Sequence, residues 1–421
     1  MVGLQSGRSE GPPLEGERVL RKFGLGLSVV ALMVASACGS DSKPDSAGGS
    51  TGARTFKVAV AGPLAGAYAI YGKPILDGAQ IAVDELNRAG GIASGPYKGS
   101  KIEIVPFDDQ LDPKQDADAA QKVVDDKSIW AFTGLAGSDG ALAAKPILNR
   151  AGVPLISSYA SSPAITRDSQ RTFILASPHG AYAAAGIQAA KDAGAKKVAI
   201  LQITGEFGDS ISKLAQQAAQ AKGLTVSNVA TMGSGDADVQ TQVLAAKNSG
   251  ADTLVTVGYA GDVIAALTAV KKLEWTPRIV DAGGGAFDPS LLERGGPARE
   301  GLIGVVDYDA ASASPANAAF TSAYKTRFGS ADVPPPAAHG YESIKVVAAA
   351  LATGPADRAA LGDAIGKVAI ADTGVGALSF DASGNPLGRP IWVFKVKDGK
   401  FVFQSGFSFD GKDVKSLPLS R

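Results

Sequence analysis

Two short segments carry the residue types best suited to grip or attack a small molecule. They are Thr133-Gly134-Leu135-Ala136-Gly137-Ser138-Asp139-Gly140 and Ser157-Ser158-Tyr159-Ala160-Ser161-Ser162-Pro163. Each follows an apolar run of strand character and leads into a helical one. Beyond the carboxyl end of a strand, hydroxyls, backbone N–H groups and a helix N-terminus converge, and such a place holds a small carboxylate without a reacting group. Capping of the next helix is the competing explanation for Ser157, Ser158 and Ser161. Nucleophilic chemistry fits less well. Ala136-Gly137-Ser138-Asp139-Gly140 approaches the GxSxG elbow of serine hydrolases but has Ala136 where the first glycine belongs, and only His339 comes late enough to be the base in the usual order. His339 lies at the start of an apolar helix, where a half-buried structural histidine is expected. His179 reads as a hinge or surface residue.

Other chemistries find less support. Gly62-Pro63-Leu64-Ala65-Gly66 lacks the glycine spacing of a dinucleotide site, and Gly72-Lys73 is followed by Pro74 where a phosphate loop needs Ser or Thr. Asp108, Asp109 and Asp112 offer too few oxygens for calcium, and Asp112 serves more simply as a helix cap. No metal or other cofactor is expected. Lys+Arg 41 balances Asp+Glu 41 over 421 residues, which excludes a basic nucleic-acid footprint. Cys38 is the one cysteine, so neither an intrachain disulfide nor a thiolate zinc site can form.

The front of the chain is an address. Arg18, Arg21 and Lys22 precede an apolar run over 25–37 that is too short for a membrane span and ends in Ala35-Ser36-Ala37 before Cys38. The pattern resembles a bacterial lipoprotein signal, which implies lipidation of Cys38 and a mature chain that begins there. A polar Ser/Gly/Asp tether follows over 38–54. A body held at the outer face of a membrane by a lipid is the expectation.

From residue 56 onward the sequence alternates between strand and helix. Strands are expected over 56–61, 102–107, 129–132, 153–156 and 173–176. After a pause at Ser177-Pro178 come strands over 197–203, 226–230, 253–257, 278–281 and 302–306, with helices between them. The first helix is expected to begin near Pro74, whose missing N–H needs no partner in a first turn. Strands separated by helices mean parallel sheets covered on both faces, and there are too many for one sheet. The chain is therefore read as α/β with two doubly wound domains. Its last part differs, with helices followed by extended segments and a hairpin turn at Asp398-Gly399.

At the level of whole segments the chain resembles the leucine/isoleucine/valine-binding type of periplasmic binding protein, the substrate receptor of a branched-chain amino acid ABC importer. FKVAVAGPLAGAYAIYGKPILDGAQIAVDELNRAGGI, IEIVPFDDQLDPKQDADAAQKVVDD and AGVPLISSYASSPAIT carry the resemblance most strongly. It implies a type I fold of two lobes joined by three hinge crossings, closing on a ligand between them. Lobe one is expected over 55–176 and 309–376, and lobe two over 177–308 and 377–421.

The resemblance also implies site residues. Gly137 and Ser138 match the loop that binds the ligand carboxylate, Ser161 matches the next hydroxyl donor, and Tyr159 offers a backbone carbonyl. Tyr71, Phe207 and Tyr259 occupy aromatic positions around the ligand. One position departs from the pattern. Amino-acid-binding relatives place a glutamate against the ligand amine, and Gly283 stands there in this chain. Either Asp281 or Asp262 supplies the charge from a shifted position, or the ligand has no α-amine. The implied function is a non-enzymatic, monomeric receptor that delivers a branched-chain or related amino acid to permease subunits. An amide, urea-like compound or small organic acid is the alternative ligand, and ligand sensing is the alternative role.

Overall fold

Alternating apolar strands and amphipathic helices build two open sheets, seen in a computed structural model that describes residues 53–330 and 332–417. The expected signal, Cys38 and most of the tether lie outside the described residues. The first sheet takes β1 (Thr55–Gly62), β2 (Lys101–Asp108), β3 (Ile129–Gly134), β4 (Leu155–Ser157) and β5 (Thr172–Ile174). Between them run α1 (Ala69–Arg88), α2 (Pro113–Asp125), α3 (Ser138–Arg150) and the single turn α4 (Pro163–Thr166). The order is β2-β1-β3-β4-β5, parallel throughout.

The second sheet takes β6 (Lys197–Ile203), β7 (Thr225–Met232), β8 (Thr253–Val257), β9 (Arg278–Asp281) and β10 (Ile303–Val306). Helices α5 (His179–Asp192), α6 (Glu206–Ala221), α7 (Gln240–Asn248), α8 (Ala260–Lys272) and α9 (Pro289–Arg294) accompany them. The chain then supplies α10 (Pro315–Phe328), α11 (Pro335–Leu351) and α12 (Arg358–Ile365), followed by β11 (Pro390–Lys397), β12 (Lys400–Phe409) and β13 (Val414–Leu417). The last three strands extend the second sheet antiparallel, in the order β13-β12-β11-β10-β9-β8-β6-β7. The β11–β12 turn is Asp398 (φ 52°) and Gly399 (φ 67°), the left-handed pair that a two-residue hairpin needs. Among the described residues no helix is long and apolar enough to cross a membrane.

Each sheet has an apolar core on both faces, which explains why its strands are nearly continuous hydrophobic runs. The late helix α11 packs on α1 at backbone contact. A Cβ on Gly78 would lie 1.8 Å from the Ala337 carbonyl oxygen, and one on Gly340 would lie 2.0 Å from that of Ile75. Only paired glycines let the two helices approach so closely.

Helix α1 begins at Ala69 rather than near Pro74, so Pro74 is an interior proline. The missing N–H falls opposite the Ile70 carbonyl, and Ile70 is exposed, so water can satisfy that group. At α2 the proline does occupy the first turn, and Asp112 Oδ1 caps it by accepting the Lys114 N–H at 2.9 Å.

The chain passes between the sheets three times, after β5, after β10 and before β11. Leu378 and Phe380 pack into the first sheet's core, and pairing with the second sheet starts at Pro390. One buried charged cluster ties the passages together. Asp307 Oδ2 accepts the Ser177 N–H at 2.8 Å and lies 3.1 Å from His339 Nε2. His339 Nδ1 is 3.0 Å from Glu342 Oε2, and Arg389 Nη2 holds both Glu342 oxygens at 2.9 and 2.8 Å. Arg389 Nε also donates to the Leu175 carbonyl at 3.1 Å. Burial pushes the His339 imidazole down, but Asp307 and Glu342 outweigh it and raise its pKa to about 9. His339 is thus fully buried and ionic rather than half-buried.

Candidate functional site

In each sheet the strand order reverses at one point, and ligands of open α/β sheets bind there. In the first sheet β1 lies between β2 and β3, so the segments after β1 and β3 diverge and leave a crevice. In the second sheet β6 lies between β7 and β8, with the same result. The four segments leaving these strands deliver Tyr71 and Ser138 from one sheet and Phe207 and Tyr259 from the other. All four line one cavity of about 30 Å³, together with Tyr159, Ser161, His179 and Tyr182.

Helix beginnings surround this cavity. Ser138, His179 and Ala260 are the first residues of α3, α5 and α8, and Phe207 is the second residue of α6. Helix starts carry partial positive charge and favour an anion between them. The rings make the walls: Tyr71 and Tyr259 are 5.2 Å apart, Phe207 and Tyr259 5.1 Å, and His179 and Phe207 5.6 Å.

Residues of the two sheets bond directly around the cavity. The Tyr71 hydroxyl accepts the Ala260 N–H at 2.9 Å, and Asp139 Oδ1 accepts the Glu206 N–H at 2.9 Å. The Ser162 hydroxyl donates to the Glu206 carboxylate, and the Tyr68 and Ser234 hydroxyls lie 2.8 Å apart. A Cβ on Gly205, which has φ +100°, would lie 2.9 Å from Asp139 Oδ2. Glycine there lets Asp139 reach the start of α6.

His179 was expected at a hinge or on the surface. It follows the first passage but is 2% exposed, with Nε2 3.4 Å from Ser138 Oγ. Burial pushes its pKa down to about 3, so the imidazole is neutral, and its Nδ1 has no hydrogen-bond partner. A triad needs an acid on that nitrogen to orient the ring. His339, the other candidate base, pairs with Asp307 and Glu342 instead of Ser138.

The serine-rich segment divides its labour. Ser162, not Ser157, Ser158 or Ser161, caps the following turn, accepting the Ala164 N–H at 3.1 Å. Ser157 Oγ donates to the Ala160 carbonyl at 2.7 Å, and Ser158 Oγ lies 3.3 Å from Thr133 Oγ1. Ser161 is left facing the cavity, while its carbonyl accepts the His179 N–H at 3.2 Å. Gly137 is the N-cap of α3 and is not among the lining residues. A Cβ there would meet Leu111 Cδ1 at 3.0 Å and the Tyr259 hydroxyl at 3.5 Å. Tyr182, which the sequence reading missed, stands three residues after His179 on α5, a spacing that puts both on one helix face.

The periplasmic binding protein family model matches residues 55–400. The chain belongs to that family. A leucine-, isoleucine-, valine-, threonine- and alanine-binding protein of Pseudomonas aeruginosa is 28% identical over 346 residues, 80% of this chain and 88% of that one. A crystal structure of a leucine binding protein from Thermotoga maritima superposes with a TM-score of 0.77 at 26% identity, covering 83% of this chain and 98% of the other. A solute binding protein from R. palustris, solved with 4-hydroxybenzoate, gives a TM-score of 0.75 at 22% identity, covering 85% and 98%. The likeness fixes the type I fold of two parallel-sheet lobes.

The carboxylates nearest Gly283 serve the backbone rather than the cavity. Asp281, expected to replace the glutamate missing at Gly283, does not line the cavity. Its oxygens accept the Ala286 N–H at 2.9 Å and the Gly283 N–H at 3.3 Å, and Thr256 Oγ1 lies 3.3 Å away. It is a brace for the glycine loop, and burial, only partly opposed by these bonds, raises its pKa to about 6. Asp262, the other candidate, accepts the Tyr259 N–H at 2.9 Å and the Gly235 N–H at 2.7 Å. Both acids serve backbone donors, and no acidic side chain is among the lining residues.

Proposed function

We propose that this protein is the extracytoplasmic receptor of an ABC importer, and that its ligand is a small carboxylic acid with no ammonium group beside the carboxylate. The observation that carries the ligand class is the composition of the cavity wall: hydroxyls, aromatic rings, a neutral imidazole and helix starts, with no acid among the residues lining it. Leaving a buried ammonium unpaired costs several kcal/mol, on the order of 3–5. A carboxylate meets the opposite situation, because Ser138 and Ser161 offer hydroxyls and the helix starts offer favourable dipoles.

In this reading Tyr71, Phe207 and Tyr259 close over the ligand and Tyr159 borders it. Because both lobes supply contacts, binding favours the closed arrangement, and the permease receives the closed, loaded form. Cys38 carries the lipid that holds the protein at the membrane. No bond is made or broken. A serine-directed fluorophosphonate should leave Ser138 unlabelled, and stoichiometric labelling there would support an enzyme instead.

A branched-chain amino acid is the second reading, supported by what the P. aeruginosa and T. maritima relatives are named for. Leucine and isocaproate separate the two, since isocaproate is leucine without its amine. A ligand that binds only the folded state raises the unfolding temperature. Isocaproate is expected to raise it at concentrations where leucine, valine and isoleucine do not. The reverse order overturns the carboxylic acid reading.

A further inference from the structure

The cavity beneath Ser138 and Ser161 holds a head group and little else. Its volume of about 30 Å³ fits about two waters, whereas complete small-molecule sites run to about 300–1,000 Å³. Directly beside it lies a chamber of about 730 Å³, and the two share Tyr71, Tyr159, Gly284 and Gly285. The chamber has an aromatic wall in which Phe287 lies 4.8 Å from Phe401 and 5.6 Å from Phe403. Its charge is one-sided: Asp288, Glu293, Asp309 and Asp332 line it against Lys400.

Asp288 lines the chamber and not the small cavity. Its Oδ1 caps α9, accepting the Ser290 N–H at 2.8 Å. Burial pushes the Tyr71 and Tyr159 phenols well above their ordinary pKa, and the charge of Asp288 adds to that in both. The site therefore runs from helix starts that favour an anion to a chamber rich in carboxylates. An α-amino acid carries its two charges on adjacent groups and cannot place one at each end. An extended zwitterion can.

We infer that the chamber is the second half of the ligand site and that the ligand is an ω-amino acid or similar elongated zwitterion. Its carboxylate sits by Ser138 and Ser161, its apolar chain lies along Phe287 and Phe401, and its cationic end faces Asp288. The inference rests on the carboxylate reading of the small cavity and assigns the counter-charge missing at Gly283 to a more distant position.

ε-Aminocaproate, caproate and norleucine share one straight carbon chain and differ only in the presence and place of the amine. Titrated calorimetrically into the full-length protein, ε-aminocaproate should bind at least about tenfold tighter than caproate, the usual worth of one added charged hydrogen bond. Asp288→Asn keeps a competent N-cap, so it should fold normally and remove that advantage while leaving caproate affinity within about twofold. Caproate binding as well as ε-aminocaproate, or Asp288→Asn weakening both equally, overturns the chamber assignment and leaves the carboxylate reading standing. Norleucine binding tightest overturns the carboxylate reading as well, and so does failure of all three to bind.

Discussion

Two buried polar regions of this protein treat charge in opposite ways. At the passages between lobes, Asp307, His339, Glu342 and Arg389 are all nearly inaccessible and pair as opposite charges, although Asp307 Oδ1 and Arg389 Nη1 have no hydrogen-bond partner. In the small cavity, Ser138, Ser161 and His179 are equally inaccessible, yet none is ionised. The charges of the first region are balanced within it. The second carries no charge of its own. That difference separates a cluster whose paired charges hold the passages together from a neutral cavity, which we propose receives the ligand.

The largest effect expected from this contrast is on stability. Glu342→Ala leaves Arg389 and His339 buried without their shared partner and should cost about 3–5 kcal/mol in urea unfolding. Ser138→Ala, equally buried, should cost no more than about 1 kcal/mol, because its hydroxyl contributes one long contact to His179. Equal destabilisation by the two changes would erase the distinction.

Next in size is an effect on binding. Ser161→Ala should weaken isocaproate by about tenfold or more, a charged hydrogen bond being worth about 1.5–3 kcal/mol, while the unfolding temperature of the ligand-free protein stays within a few degrees. Unchanged affinity would remove Ser161 from the site.

The sequence made the alternation of strands and helices readable because apolar runs buried on both faces are continuous and the helices between them are amphipathic. Most strand bounds fell within two residues of those observed. The helix starts were less readable, and they are where the candidate site is. Ser138, His179, Phe207 and Tyr71 all lie in a first or early turn, yet the segments around them are rich in glycine, serine or proline and read as loops. Helix propensity is weakest at the ends, where dipoles and caps are used for binding. The aromatic positions and both serines came from family likeness, and all of them line the cavity. Gly137 and Asp281 do not, since only the folded backbone reveals that one is a cap and the other a brace for Gly283 and Ala286. Tyr182 could have been found by pairing it with His179 at helical spacing.

A smaller effect concerns pH. Asp109 and Asp116 are buried together beside the Ser138 loop. Burial and mutual repulsion raise Asp116 from 3.8 to about 9, and burial raises Asp109 to about 6. Groups with raised pKa values contribute stability that is fully present below their ordinary values and is lost as pH rises through the folded ones. His339, raised from 6.5 to about 9, acts in the same direction. These three groups should therefore lower the unfolding temperature as pH rises from about 4 to 9, Asp109 only up to about 6 and His339 only above about 6.5, and Asp116→Asn should flatten the slope without abolishing it. An identical slope in the variant would mean that Asp116 is ionised in the folded protein.

The absence of a counter-charge at Gly283 is open to direct reversal. A Cβ there would meet Gly258 N at 3.1 Å and the Gly258 carbonyl oxygen at 3.3 Å, with Phe207 Cζ in ordinary contact at 3.4 Å, so a side chain fits if the Gly258 backbone yields by a few tenths of an ångström. Calorimetric titration of leucine and isocaproate into the native protein and into Gly283→Glu should give isocaproate as the tighter ligand of the first and leucine as the tighter ligand of the second. Tighter binding of leucine by the native protein would show that the cavity already holds an ammonium group, and would contradict the assignment.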